Sequence, residues 1–393
     1  MVGMKTAARF AALVAAAPWL ALSTGCESTN IAPIAGTNTV LEQDEQRLWL
    51  RAGEEQAAIE RSGLLLDAPA LDAYLNGIVE RLHPDPLPGG ARFRVRVLVD
   101  PTLNAFAMPT GALYIHTGML AHMENEAQLA TVLAHELTHT THRHAVKGFR
   151  SVKNKSAVLA TFVIGTSGLG SLIGGIGALA AVSGYSQDLE READRVGFNH
   201  IVAAGYDPRE STKVFRSILA EAKRTKLKEP FFFGSHPRLQ ERIDNFTEFV
   251  AALPPAKLQG RVETDAFNAA VDPALARNIA ADLQAGDFDG ARDSAQRYLT
   301  RHPDAPAIEF LLAESHRKRN EPAATATARE LYVKLIARHP EFPDAHRSLG
   351  LVLLKDGKKT EASAAFRRYL ELNPQAPDRA YVEAFISQCE AKS

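Results

Sequence analysis

Apolar positions recur along this chain at two different periods, and the changes of period mark out its parts. From Leu41 to Ser62 the residues are charged and helix-favouring, with Leu48, Leu50 and Ile59 as scattered apolar positions, the pattern of a surface helix. Leu71, Tyr74, Ile78 and Leu82 then step by three and four residues, which predicts a second amphipathic helix ended by the Pro84 to Gly90 cluster. Next the period drops to two. Phe93, Val95, Val97 and Val99 alternate with Arg92, Arg94, Arg96 and Leu98, and Ala105 to Met108 and Ala112 to His116 flank Pro109-Thr110-Gly111, so a small sheet with a hairpin is expected. From Glu124 helical spacing returns, and Leu129, Val132, Leu133 and Leu137 form an apolar face that carries His135-Glu136-Leu137-Thr138-His139 into the core.

Past Leu275 the chain repeats itself. Gly286, Ala291, Tyr298 and Pro303 are followed by Ala328, Leu335 and Pro340, and then by Gly357, Ala362, Tyr369 and Pro374, at steps of about 34 to 37 residues. The third unit resembles the tetratricopeptide repeat through Leu349-Gly350, Ala362, Phe366 and Pro374. Three helical hairpins over 273–388 are expected, stacked because none can bury its apolar face alone, with a concave surface for a peptide or protein partner.

At 393 residues, two or three folded units are expected. Apolar residues at 46% and charged residues at 23% are those of a globular protein, which excludes a disordered or multi-span membrane chain. Lysine plus arginine, 45, nearly balances aspartate plus glutamate, 46, so no global field favours nucleic acid, and none is expected as a partner. The N-terminus places Lys5 and Arg9 ahead of the apolar run Phe10 to Leu22 and then Ser23-Thr24-Gly25-Cys26, the layout of a secretory signal. A glycine before a cysteine at the end of such a run is similar to the bacterial lipoprotein signal, in which the cysteine becomes the acylated first residue. Ser23 departs from that pattern, since it stands where leucine is preferred, and plain cleavage and secretion stays the alternative. With Cys26 acylated, Glu27 after it implies, by the same resemblance, retention at the outer membrane, and contact with the membrane is expected through the lipid anchor only. Only Cys389 then remains, so no intrachain disulfide framework can form.

On an α-helix, residues i and i+4 lie about 40° apart around the axis, so His135 and His139 can present ring nitrogens to one ion. Glu136, beside them, can take a proton from a water attacking a peptide carbonyl and deliver it to the leaving amine. A catalytic zinc needs a third protein ligand and one open position. Asp188 to Phe198 supplies the best candidate, for Glu190 and Asp194 form another i, i+4 pair: Glu190 as ligand, Asp194 as the group that fixes a ligand histidine's tautomer. Glu192 is the rival ligand, but it points about 200° away from Glu190 around the helix. His142 and His144 follow the motif closely; His142 lies a full turn further from Glu136 and is expected at the helix end or the surface.

His135-Glu136-Leu137-Thr138-His139 followed by Glu190-Arg191-Glu192-Ala193-Asp194 resembles the M48 family of gluzincin metallopeptidases. Asn104-Ala105-Phe106-Ala107-Met108-Pro109-Thr110-Gly111 is similar to the family's Asn-Ala-Phe strand, and Ser235-His236-Pro237 with Arg242 to its Thr-His-Pro…Arg segment, so the likeness covers about 40–250. A lipoprotein-like signal in front and repeats behind resemble the family's periplasmic branch. The resemblance implies one zinc ion per chain, a substrate-binding edge strand at Asn104 to Pro109, polypeptide substrates, and quality control of envelope proteins in the bacterial periplasm. It further implies that His236 can occupy the open zinc position and silence the enzyme, and that Arg242 serves the transition state or the structure.

The expected organisation is therefore a signal peptide (1–25), a tether (26–40), an M48-like zinc metallopeptidase domain (41–252), a linker (253–272) and three tetratricopeptide repeats (273–388). In fold class this is α+β, mostly helical with a small sheet, followed by an all-α solenoid. Ser156 to Gln187 carries no charged side chain and is rich in glycine. A single membrane span there would put His135 and His139 on the opposite side from Glu190, and two spans need about 40 apolar residues, so a mobile lid or buried plug is expected instead. A non-catalytic chaperone or adaptor working through its repeats in outer-membrane protein assembly is the competing function.

Overall fold

The computed structural model describes residues 28–155, 185–225 and 239–391. Cys26, His236 and most of the uncharged stretch, 156–184, lie outside the described residues. Helix α1 (Gln43–Arg61) opens where the Glu42 N–H donates to the Glu45 side chain at 3.3 Å, and α2 (Pro69–Leu82) starts on a proline, which has no N–H to leave unpaired. The segment with period two forms β1 (Arg94–Leu98), β2 (Ala105–Ala107) and β3 (Ala112–His116), and the sheet has the order β1-β3-β2. β3 pairs parallel with β1 and antiparallel with β2, in the register Phe106 opposite Tyr114. Val95 and Val97 are fully buried, as their alternation requires.

The two edges of this sheet differ. Along β1, the Asn76 amide bonds both the N–H and the C=O of Val95, at 3.0 and 3.2 Å, while Leu66 N–H reaches Val97 O and Val99 N–H reaches Leu64 O. That edge is closed. On β2, Asn104 O accepts from His116 N–H at 2.9 Å and Met108 N–H donates to Ala112 O at 2.8 Å. Ala105 and Ala107 therefore turn their backbone groups to the outer edge, where no hydrogen bond to them is recorded among the described residues.

After α3 (Thr117–Ala121) come α4 (Glu126–Thr141) and α5 (His144–Lys155), then α6 (Gln187–Ala203), α7 (Arg209–Arg224) and α8 (Leu239–Ala251). Every residue of α4 is buried, so it is a central helix rather than the one-sided helix its apolar stripe predicts. Three of its hydroxyls are satisfied within the helix: Thr131, Thr138 and Thr141 each donate to the carbonyl four residues back, at 2.8–3.0 Å. Residues 28–42 are strapped across α4 and α5, with Ile31 buried against Leu48 and Val146, and the buried Arg150 guanidinium bonding Ser28 O at 2.9 Å and Asp44 at 2.7 Å.

Helix α9 (Thr264–Ala285) runs through the second half of the expected linker and on into the repeats. Its first turns bury Phe267, Val271 and Ala274 in the same core as α2, α4 and α7, and its last turns bury Ile279 and Leu283 with the repeats. The stretch ahead of it is pinned, since Arg261 N–H donates to Gly205 O and Asp207 N–H to Arg261 O. The repeats continue as α10 (Phe288–Arg301), α11 (Pro306–Arg319), α12 (Pro322–Arg338), α13 (Pro343–Lys355), α14 (Lys359–Leu372) and α15 (Arg379–Glu390). Ala291, Ala328 and Ala362 are fully buried contact points, and Pro303, Pro340 and Pro374 each follow the residue that caps α10, α12 or α14. Gly350 is needed because a Cβ there would meet the Phe366 ring at 2.6 Å.

Phe267 tests this sharing of one helix by two cores. Phe267→Ala is expected to lower stability by about 3 kcal/mol in urea unfolding, the loss typical of a core phenylalanine. A residue in a free linker would leave the midpoint unchanged.

Candidate metal centre

Helix α4 starts where the Asn125 side chain accepts from Gln128 N–H at 3.0 Å, and it presents His135 and His139 one turn apart with their Nε2 atoms 2.9 Å from each other. Helix α6 starts on the Ser186 hydroxyl, which accepts from Leu189 N–H at 3.4 Å, and then lies directly on α4. Gly197 permits this approach, for a Cβ there would stand 3.0 Å from His135 N and 3.1 Å from the Ala134 carbonyl carbon. As a result Glu190 sits 3.5 Å from His135 Nε2 through one oxygen and 3.5 Å from His139 Nε2 through the other. One donor atom from each of the three lies within 4.8 Å of the rest, and all three residues are buried. Donors held tetrahedrally by zinc stand roughly 3.3 Å apart, and two imidazoles with one carboxylate suit that ion.

The charges around the cluster favour a cation. Asp194, one turn beyond Glu190, lies 3.0 Å from His135 Nδ1, and Arg242 of α8 donates to Asp194 at 2.7 Å through one terminal nitrogen and at 3.1 Å through Nε. Arg242 also stands 3.0 Å from His135 Nδ1, but a guanidinium only donates, so a proton carried on Nδ1 has Asp194 as its acceptor. Burial and the Arg242 cation push the His135 pKa down, yet Asp194 and Glu190 outweigh them and lift it to about 9. Burial raises the Asp194 pKa, and Arg242 and His135 outweigh it and hold the carboxylate ionised. Among the described residues, the carboxylates of Glu136, Glu190 and Asp194 are buried here together with the Arg242 guanidinium. Arg242 lies behind the His135 ring, its guanidinium carbon 4.2 Å from the Phe215 ring centre, on the side away from the donor cluster.

Glu192 stands apart from the cluster, as its angle on the helix requires. Its Oε2 lies 3.2 Å from His144 Nε2 and 3.4 Å from Lys147 Nζ, and its Oε1 lies 3.9 Å from His142. His142 caps the end of α4 and is half-buried. His144 is fully buried, with its Nδ1 2.8 Å from His139 Nδ1, and burial pushes its pKa down to about 3 against the pull of Glu192. Sequence spacing gave no sign of this contact, because the backbone reverses between the two helices at Arg143, which has φ 59°. Tyr185 is a second residue that the motif does not reveal. Its ring stacks on His139 with centres 4.1 Å apart and planes 16° apart, and burial, then Glu136 and Glu190, raise its hydroxyl pKa. Among the predicted strand residues, Asn104 and Met108 are buried, Phe106 and Ala107 are partly exposed, and Thr140 of α4 donates to Met108 O at 3.2 Å.

The profile of Peptidase family M48 matches residues 69–250, and that of the Tetratricopeptide repeat matches 280–324 and 325–377. The chain is 26% identical over 192 residues to the beta-barrel assembly-enhancing protease of Escherichia coli K12, covering 46% of this chain and 39% of that protein. The protein of that name in Yersinia pestis is 28% identical over 194 residues, with 47% and 40% covered. The mitochondrial metalloendopeptidase OMA1 of Arabidopsis thaliana is 33% identical over 129 residues, with 33% and 26% covered. The chain spans about half the length, or less, of the curated relatives it matches.

Gly197 gives a test that touches no ligand. Gly197→Val should force α6 away from α4, separate Glu190 from the histidines, and weaken zinc affinity by about tenfold or more. Affinity unchanged from wild type, measured by competition with a chelator, would show that this helix contact does not set the cluster.

Proposed function

The chain carries a peptidase family M48 domain followed by tetratricopeptide repeats, and we propose that it is a zinc-dependent endopeptidase acting on misfolded or stalled proteins of the bacterial cell envelope. The observation that carries the reading is the convergence of His135, His139 and Glu190 in a buried pocket rich in carboxylates, with Glu136 adjoining. These three residues would hold the zinc ion, which when bound supplies the Lewis acidity that makes water nucleophilic and polarises a peptide carbonyl at neutral pH. Glu136 takes the proton of the attacking water and returns it to the leaving amine. Asp194 keeps the His135 Nε2 lone pair turned to the cluster, and Arg242 holds Asp194 ionised, a structural role.

A polypeptide substrate would add to the open edge of β2, bonding the outward backbone groups of Ala105 and Ala107, while Asn104, Phe106, Met108 and Pro109 shape the path. The repeats would recruit the substrate or a protein partner. Their first helix is built into the peptidase core, which favours a fixed geometry between recruitment and cleavage. His236 would serve as a removable inhibitory ligand, as the family resemblance implies.

The proposed setting is the periplasm, with acylated Cys26 holding the protein at the outer membrane. No helix among the described residues is long and apolar enough to cross a membrane. Arg150 grips Ser28, two residues past Cys26, so a lipid there would hold the peptidase close to the bilayer. Cys26→Ala should then move the protein from the membrane fraction to the soluble periplasmic fraction; persistence in membranes would rule out the anchor.

Purified protein is expected to degrade casein, and a chelator should stop it. Glu136→Gln should lower the rate by about 10²–10⁴-fold with zinc content retained. Zinc should be lost in Glu190→Ala and kept after dialysis in Glu192→Ala. Casein left intact by both wild type and His236→Ala would favour the non-catalytic chaperone.

A further inference from the structure

We propose that His144 is a positioning residue for the metal centre, accepting a hydrogen bond from His139 Nδ1–H and passing the orientation to Glu192. The inference rests on the zinc reading above and deepens it. His139 Nδ1 and His144 Nδ1 are 2.8 Å apart, so a hydrogen bond between them places one proton on that line. A histidine that binds metal through Nε2 carries its proton on Nδ1. His139 must therefore donate, and His144 must accept through an unprotonated Nδ1. The proton of His144 then belongs on Nε2, which faces Glu192 Oε2 at 3.2 Å, and an ionised carboxylate only accepts. Every donor and acceptor in the series Glu192, His144, His139 is thus matched in one tautomer alone, the one that turns the His139 lone pair to the cluster. His135 reaches the same result through Asp194, so each ligand histidine is oriented from behind by a separate partner.

The backbone is arranged to deliver His144. Arg143, between α4 and α5, is held in the left-handed region, which costs energy for a residue with a Cβ. Its side chain is locked by the buried Glu45, which accepts from Arg143 Nε at 2.8 Å and from a terminal nitrogen, and by Ala32 O at 3.3 Å. Without this reversal α4 would continue and carry residue 144 past His139. As built, the His144 ring meets the His139 ring edge-on with centres 4.8 Å apart and is shut off from solvent.

The test is zinc affinity of the full chain, measured by competition with a chromophoric chelator, alongside the thermal midpoint of the metal-free proteins. His144→Ala should weaken zinc binding by about 10- to 100-fold. His144→Asn, whose side-chain oxygen can accept from His139 Nδ1–H, should stay within a few-fold of wild type although it disturbs packing similarly. Glu192→Ala, at a partly exposed site, should fall between them. Affinity that follows the midpoints rather than the presence of an acceptor, or His144→Ala binding as tightly as wild type, would overturn the proposal. If His144→Ala does not fold, weak binding by His144→Asn together with unchanged binding by Glu192→Ala overturns it equally. Wild type that takes up no zinc would instead refute the metal reading itself.

Discussion

The contact of α6 with α4 at backbone distance is the constraint on which the rest of the structure depends. Two histidines one helical turn apart are a common accident of sequence; they become a candidate metal centre because a second helix brings a carboxylate to within 3.5 Å of both Nε2 atoms. That approach leaves no room for a side chain at Gly197. It also forces charge into the interior, where Glu136, Glu190 and Asp194 are all nearly inaccessible to water. Such a group of carboxylates is costly unless paired: Arg242 from α8 answers Asp194, and Glu190 lies against the Nε2 atoms of both histidines.

Elements that touch no ligand serve this arrangement from two directions. At the N-terminal side, residues 28–42 and α1 grip the α4–α5 connection and α5 through two buried arginines, Arg143 with Glu45 and Arg150 with Asp44 and Glu42. At the C-terminal side, α9 and the cap of α10 tie the first repeat to α3 and α7: Thr117 bonds Asn278 at 3.0 Å and Arg224 bonds Asp287 at 2.9 Å. A helix shared by two hydrophobic cores cannot pivot without exposing one of them, so the repeats are fixed to the peptidase domain rather than hung from it. Burial of Phe267 and Val271 on one side and Ile279 and Leu283 on the other makes this stiffness a property of packing.

The sheet shows how two edge strands take different roles. β1 and β2 are both short edge strands, yet the Asn76 amide and the 64–66 segment occupy the backbone of β1. β2, lying along the motif helix, keeps an edge turned outward beside the cluster. Nothing in the alternation of Val95 and Val97 against Ala105 and Ala107 distinguishes these fates, because period reports which face of a strand is buried and is silent on its neighbours.

By itself, the sequence determined what local periodicity and spacing can carry. Alternation predicted the hairpin, and three-to-four spacing predicted the helices. The recurrence of alanine and proline predicted the repeats, because each landmark marks a contact or a cap within its own hairpin. The pair His135 and His139, and the pair Glu190 and Asp194, were legible for the same reason: residues four apart share a helix face wherever that helix goes. Tertiary structure alone decided what depends on where separate elements meet. It buried α4 on every side, sent α9 through two cores, set Arg242 behind His135, stacked Tyr185 on His139, and put His144 against His139 through a left-handed turn at Arg143. These are contacts across long loops or past a helix end, where the period of a helix no longer fixes direction and only packing does.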